Sequence, residues 1–254
     1  DNKTFVRQNE WEASQAAYIW CDNSPEMGFT SDAKTRRPKT EVAQIIGLAL
    51  TRSLVDADER VALLGGRGVL STRMSTIATG LSARPDADPE AWQKLGAEGR
   101  PPLRNGTVIL ISDFMADIET IEAAIGRLAR RGVRGHMIQV LDPAELNLPY
   151  NGHVEFQDFR NGKVRLPKAE DLRTLYFERL RAQQEAVMAL AKRAGWNFSC
   201  HLTSKPVTEA LMPLFTNEDP SLPKFEDGAA LNGSIQKKAD ARPSLWQRMR
   251  PSGP

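Results

Sequence analysis

Two aspartates, each set at the end of an apolar run, are the residues best placed to do chemistry. Residues 16–27 read A-A-Y-I-W-C-D-N-S-P-E-M, so an apolar run stops at Asp22, with Ser24 and Glu26 in the loop that follows. Residues 107–114 read T-V-I-L-I-S-D-F, and a second β-branched run stops at Asp113. A short apolar run bounded by turn formers predicts a buried strand. Both acids are then expected at the carboxyl ends of strands, where open α/β sheets bind their ligands. Two carboxylates with a serine hydroxyl between them make an all-oxygen donor set of the kind preferred by hard cations such as Mg²⁺. The competing reading is turn chemistry, since Asp often ends a strand only to reverse the chain.

The elements that must hold these acids follow from periodicity. Further strands are predicted at 60–64, closed by Gly65 and Gly66, at 134–141, ending in Asp142-Pro143, and at 196–202. Helices are predicted at 40–56 with Thr40 as N-cap, at 71–81, at 88–95 with Asp88 as cap and Trp92 inward, at 118–130, at 168–194 and at 206–215. Regular alternation of strand and helix predicts a mostly parallel sheet with helices on both faces. Asn161-Gly162 between β-type runs adds a hairpin within 153–165. The basic stretch K-T-R-R-P-K at 34–39 reads as a solvated loop; Asp142 is a candidate contributor to the same edge as Asp22 and Asp113, but Asp142-Pro143 reads first as a simple turn. Residues 5–216 form the expected domain; 217–254 are polar and Pro/Gly-rich, and read as a flexible tail.

Composition excludes more than it selects. A net charge of +2 gives no global argument for nucleic acid or a membrane surface. No apolar run approaches the ~20 residues that cross a bilayer. No signal-peptide pattern opens the sequence, and a cytoplasmic protein with Cys21 and Cys200 reduced is expected. The three histidines, His136, His153 and His201, have no zinc-type spacing. There is no G-x-G-x-x-G after the first strand, no G-x-x-x-x-G-K-[ST] and no G-x-S-x-G elbow. The run Gly65-Gly66-Arg67-Gly68 reads as a strand-exit turn. No nucleophile with a sequence-evident partner is found, so the chain is expected not to be an enzyme.

At Asp22 and Ser24 the chain resembles the D-x-S-x-S loop of von Willebrand factor A-like domains. It is most similar to one bacterial branch, the domain-of-unknown-function family fifty-eight. The likeness lies in F-V-R-Q-N-E-W-E-A at 5–13, L-I-S-D-F at 110–114 and L-D-P-A-E-L-N-L-P at 141–149, and spans roughly residues 5–216. It implies a Rossmann-like three-layer sandwich and a metal-ion-dependent adhesion site. On this chain the implied ligands are Asp22, Ser24 and Asp113, with Glu26 at a position normally held by serine. The loop expected to supply a threonine, near 82–88, holds Ser82, Asp86 and Asp88 instead. Mg²⁺ binding is therefore expected to be weak or absent. An inward Glu26 would add a third carboxylate; an outward one would only weaken the site. Members commonly carry an arginine-rich segment with G-D and I-D-W motifs upstream of the first strand, so a missing upstream region is expected here. Some members sit beside a MoxR-type AAA+ ATPase. The resemblance thus implies a protein-interaction adaptor that helps such an ATPase in protein assembly. The alternative is a Mg²⁺-dependent hydrolase or phosphoryl-transfer enzyme using the same carboxylates. Nucleic-acid binding through the basic tail and 34–39 is the weakest reading at this net charge.

Overall fold

The computed structural model describes residues 16–65, 68–83, 87–99, 102, 104–149, 154–157, 163–166 and 170–215, with the backbone alone at 154–157, 163–166, 170–172 and 215. Strand β1 (Ala16–Cys21) leads through a 3-10 turn (Pro25–Gly28) and a loop into helix α1 (Lys39–Asp56). Then come β2 (Arg60–Leu63), α2 (Met74–Ser82), the single-turn α3 (Ala91–Lys94), β3 (Thr107–Ser112), α4 (Ile118–Ala129), β4 (Arg134–Leu141) and α5 (Pro143–Asn147). A hairpin of β5 (Val154–Gln157) and β6 (Lys163–Leu166) precedes the long α6 (Glu170–Ala194), β7 (Asn197–Leu202) and α7 (Val207–Phe215).

Five strands form one sheet in the order β2-β1-β3-β4-β7, every pair parallel. Both faces are buried, which is why these strands read as continuous apolar runs. Side chains alternate across the sheet. Tyr18, Trp20, Val108, Leu110, Met137 and Phe198 pack toward α3, α4 and α6. Ala17, Ile19, Val61, Ile109, Ile111, Ile138 and Val140 pack toward α1, α2 and α7. Gly135 in β4 is held to glycine by packing, because a Cβ there would lie 1.9 Å from Cδ2 of Trp196. Gly195 ends α6 at φ +68°, as expected of a C′ residue.

Several local expectations are corrected. Helix α1 starts at Lys39, with Pro38 in the cap position, so Thr40 lies inside the helix and caps nothing. Residues 71–73 are not helical: Ser71 exchanges both backbone hydrogen bonds with Val61 in an antiparallel bridge, and α2 begins only at Met74. The helix expected at 88–95 is one turn, although Asp88 does accept from the Glu90 amide ahead of it and Trp92 does point inward. The hairpin pairs Val154 with Leu166 and Gln157 with Lys163; its Asn161-Gly162 turn lies outside the described residues, as do residues 5–15 and the tail.

Candidate functional site

The sheet order places a switch point between β1 and β3, because the chain leaves β1 for β2 on one side and returns to β3 on the other. Crevices at such points, at the carboxyl ends of the strands, are where doubly wound sheets bind. Asp22 and Asp113 both lie there. The Asp22 amide donates to the Ile111 carbonyl at 2.9 Å, which continues the β1–β3 ladder to the rim. The two acids are thus brought to one edge, as the sequence suggests, but their side chains enter separate networks.

Asp22 follows the Tyr18 and Trp20 face and is 1% exposed. Its Oδ1 accepts from the Ser24 amide at 2.8 Å. Its Oδ2 accepts from Ser112 Oγ at 2.5 Å and from Trp92 Nε1 at 3.1 Å. Burial, and secondarily the Asp113 charge, push the Asp22 carboxyl up to about 6, while the Ser112 and Ser24 hydrogen bonds pull the other way. The adjacent Cys21 thiol is pushed up to about 12, first by burial and then by Asp22. A cavity of ≈ 410 Å³ opens beside Asp22, lined among others by Trp20, Asn23, Gln44 and Lys94. Asp88, in the segment expected to supply a threonine, donates its amide to the Asn23 carbonyl and holds Lys94 with its carboxylate.

Asp113 follows the Ile109 and Ile111 face, toward α1. Its Oδ1 accepts from the Met115 amide at 3.0 Å, and its Oδ2 accepts from Lys39 Nζ at 2.7 Å. Lys39 is wholly buried and also donates to Glu145 Oε1 at 2.8 Å. Its ammonium lies 5.8 Å from the centroid of the Phe29 ring. Glu145 is the N3 residue of a capping box on α5: its Oε2 accepts from the Asp142 amide, while Asp142 Oδ1 accepts from the Ala144 amide. Asp142 Oδ2 takes the Ser31 amide at 3.1 Å, and Arg36 Nη1 lies 3.9 Å from Oδ1. From behind, Gln139 Nε2 holds the Asp113 carbonyl, and Gln184 Nε2 holds Gln139 Oε1.

Two readings change here. Lys39 is no part of a solvated basic loop, and Asp142 is a buried cap rather than a bare turn. Lys39, Glu145, Trp92 and Ser112 join the site without any local motif that marks them as site residues. A cation on the first turn of a helix opposes the helix dipole, and that mismatch was the available sign that Lys39 meets carboxylates.

The donor set does not fit a divalent ion. Both oxygens of Asp22 accept protein N–H or O–H donors, and Asp113 Oδ2 is already on an ammonium. A Mg²⁺ on Asp113 Oδ2, at about 2.1 Å, would stand no more than about 5 Å from Nζ. Glu26 is half-buried in the 3-10 turn, where its carbonyl accepts from the Phe29 amide. Among the described residues no three His, Cys, Asp or Glu side chains are grouped as a metal would require, so Glu26 does not close a cage with Asp22 and Asp113.

A doubly wound α/β domain with a polar network at its switch point is the class defined by this sheet and rim. More particularly, residues 1–186 match the family described as "Protein of unknown function DUF58", and the chain belongs to that family. It is 35% identical over 106 residues to the uncharacterized proteins Rv1480 of Mycobacterium tuberculosis and Mb1516 of Mycobacterium bovis, covering 42% of this chain and 33% of theirs. The uncharacterized protein MAV169 of Mycobacterium avium is 34% identical over 106 residues, covering 62% of that protein. The matched stretch thus spans about a third of the length of the first two relatives. Among solved structures, the conserved hypothetical protein BatB from Bacteroides thetaiotaomicron aligns with TM-score 0.48 at 15% identity, over 79% of this chain and 97% of that one. An aerotolerance-related membrane protein from Bacteroides fragilis aligns with TM-score 0.45 at 12% identity, over 79% and 96%. Among the described residues, no helix is long and apolar enough to cross a membrane.

Proposed function

We propose that this chain is a non-enzymatic, von Willebrand factor A-like interaction domain. Its docking surface is the carboxyl edge of the sheet, on the loops braced by Asp22 with Ser24, by Glu26 and by Asp113. The observation that carries the reading is the condition of the two acids. Asp22 and Asp113 are 1% and 2% exposed, and each is held by donors from its own chain. A general base or nucleophile must come within hydrogen-bond reach of a substrate atom. Asp22 borders the cavity, but its oxygens, like those of Asp113, are already taken by Trp92, Ser112 and Lys39 among other donors, which suits both carboxylates to bracing loops. The 29–38 loop stands outside them, tied down by Asp142 through Ser31, with Lys34, Thr35 and Arg37 exposed. Loops on a rigid rim are the usual binding surfaces of such scaffolds.

Membership of a family in which some chains sit beside a MoxR-type AAA+ ATPase makes such an ATPase the partner to try first, with protein assembly as the process. Biolayer interferometry against that ATPase, with wild type and the pair Lys34→Glu/Arg37→Glu, tests the reading. Capture by wild type, weakened tenfold or more by the charge reversal, is the expected result. The rival hydrolase or phosphoryl-transfer reading predicts Mg²⁺- or Mn²⁺-dependent turnover in a phosphoester panel that Asp22→Ala abolishes; that outcome would replace the docking reading.

A further inference from the structure

We infer that the Lys39 ammonium occupies the place of the divalent cation at this edge, so that the two carboxylates are bridged from within and the site takes up no metal ion. The ammonium lies between two carboxylates from different elements, 2.7 Å from Asp113 after β3 and 2.8 Å from Glu145 on α5. Bridging acids from separate elements is what a bound cation would do there. Lys39 starts α1, so one side chain ties the beginning of a helix to the ends of two neighbouring strands.

The position of Lys39 has no other evident cause. Its charge is at the unfavourable end of the helix dipole, and its side chain has no exposure to water. A buried ammonium is tolerable only where it is paired and hydrogen-bonded, and the two carboxylates supply that pairing. A divalent ion on the same Asp113 oxygen would face a fixed positive charge at close range in a site screened from solvent, so lysine and metal exclude one another. Partner docking should then be indifferent to chelators; this last clause rests on the docking reading above.

The test is Mn²⁺ binding followed by electron paramagnetic resonance, beside thermal unfolding with Mg²⁺ or with a chelator. Wild type is expected to leave millimolar Mn²⁺ free and to melt at the same temperature in both buffers. Lys39→Ala removes the ammonium and leaves the acids; it is expected to bind Mn²⁺ at least tenfold more tightly than wild type and to be stabilised by Mg²⁺, as a ligand specific to the folded state requires. A Lys39→Ala chain that folds only when the ion is supplied gives the same support. The inference is overturned if wild type binds one Mn²⁺ and Asp113→Asn abolishes it, or if folded Lys39→Ala ignores both ions. Should Lys39→Ala fold in neither buffer, the wild-type titration decides alone. Failure to capture the ATPase would sink the docking reading and leave these ion results standing.

Discussion

Asp22 and Asp113 end adjacent parallel strands and are about equally buried, yet the chain stabilises them by opposite means. Asp22 is surrounded by neutral donors: the Ser24 amide, the Ser112 hydroxyl and the Trp92 indole. Its charge is dispersed but not cancelled. Asp113 meets a full positive charge that it shares with Glu145. The difference follows from the pleat. Successive residues after β3 face opposite layers, so Ser112 joins Asp22 on the α3 side while Asp113 turns to α1 and finds Lys39. A half built on neutral donors should tolerate loss of its charge. A half built on an ion pair should not tolerate loss of either sign.

The largest effect is expected from Lys39→Met, which leaves Asp113 and Glu145 facing each other without their cation. Removing one partner of a buried pair typically costs about 3–5 kcal/mol. Urea unfolding at neutral pH should show the midpoint falling by that equivalent with an unchanged slope. The double cycle with Glu145→Gln sharpens the point: the pair should couple by roughly 1 kcal/mol or more, whereas Lys39→Met with Asp22→Asn should be nearer additive. A Lys39→Met loss below about 1 kcal/mol would erase the distinction between the halves.

His136 tests the same α1-side layer away from the rim, where a titratable group has no compensating charge. It is 4% exposed, and its Nε2 meets Ser199 Oγ at 3.0 Å. Burial pushes the imidazole down to about 4, from an ordinary value near 6.5. The unfolded chain therefore binds the proton first. Stability contributed by neutral His136 is complete above 6.5 and drains away as pH falls toward 4, by an upper figure of about 3 kcal/mol. Asp22, pushed up, titrates in the opposite sense over a similar range. The measurement is thus the difference between wild type and His136→Gln at matched pH. That difference should move against wild type between pH 6.5 and 4; a flat difference would show that the imidazole is not buried uncharged.

Asp142→Ala is expected to cost about 1–2 kcal/mol, the usual worth of an N-cap. It also frees the Ser31 amide and removes the charge beside Arg36. Hydrogen exchange at residues 30–36 should rise more than at β1. Equal rises would show that the loop is held by the Asp22 half instead.

The sheet was legible because both its faces are buried: runs such as T-V-I-L-I-S and M-I-Q-V-L leave little else for those residues to be. Asp22 and Asp113 could be placed at one rim because strand ends in a parallel sheet share an edge. Their partners could not. Lys39 reads as the end of a basic loop, since local composition says nothing of acids 74 and 106 residues away. Glu145 was hidden in D-P-A-E, where proline drew attention to the turn and away from the capping box spanning Asp142 to Glu145. The register that binds Ser71 to Val61 was beyond a periodicity argument, because a backbone bridge leaves no side-chain pattern. The parity that sends Ser112 and Asp113 to opposite layers was available in principle, and would have argued against a single three-carboxylate cage.

The smallest effect is expected from Asp22→Asn, and its smallness is the point. The amide loses one acceptor, so either the Trp92 indole or the Ser24 amide loses a bond, at a cost of about 1 kcal/mol. Against this, the variant no longer buries a carboxylate that burial itself disfavours ionising. The two terms oppose, and the net change at neutral pH should lie within about 1 kcal/mol of zero. Trp92 sits between Trp20 and Phe114, with ring centroids 4.8 Å and 5.5 Å away, so its packing should persist and its fluorescence should shift only slightly. A loss comparable to that of Lys39→Met would mean that the Asp22 charge is itself matched by a cation. The two halves of the rim would then be built alike, and the neutral-donor account of Asp22 would fall.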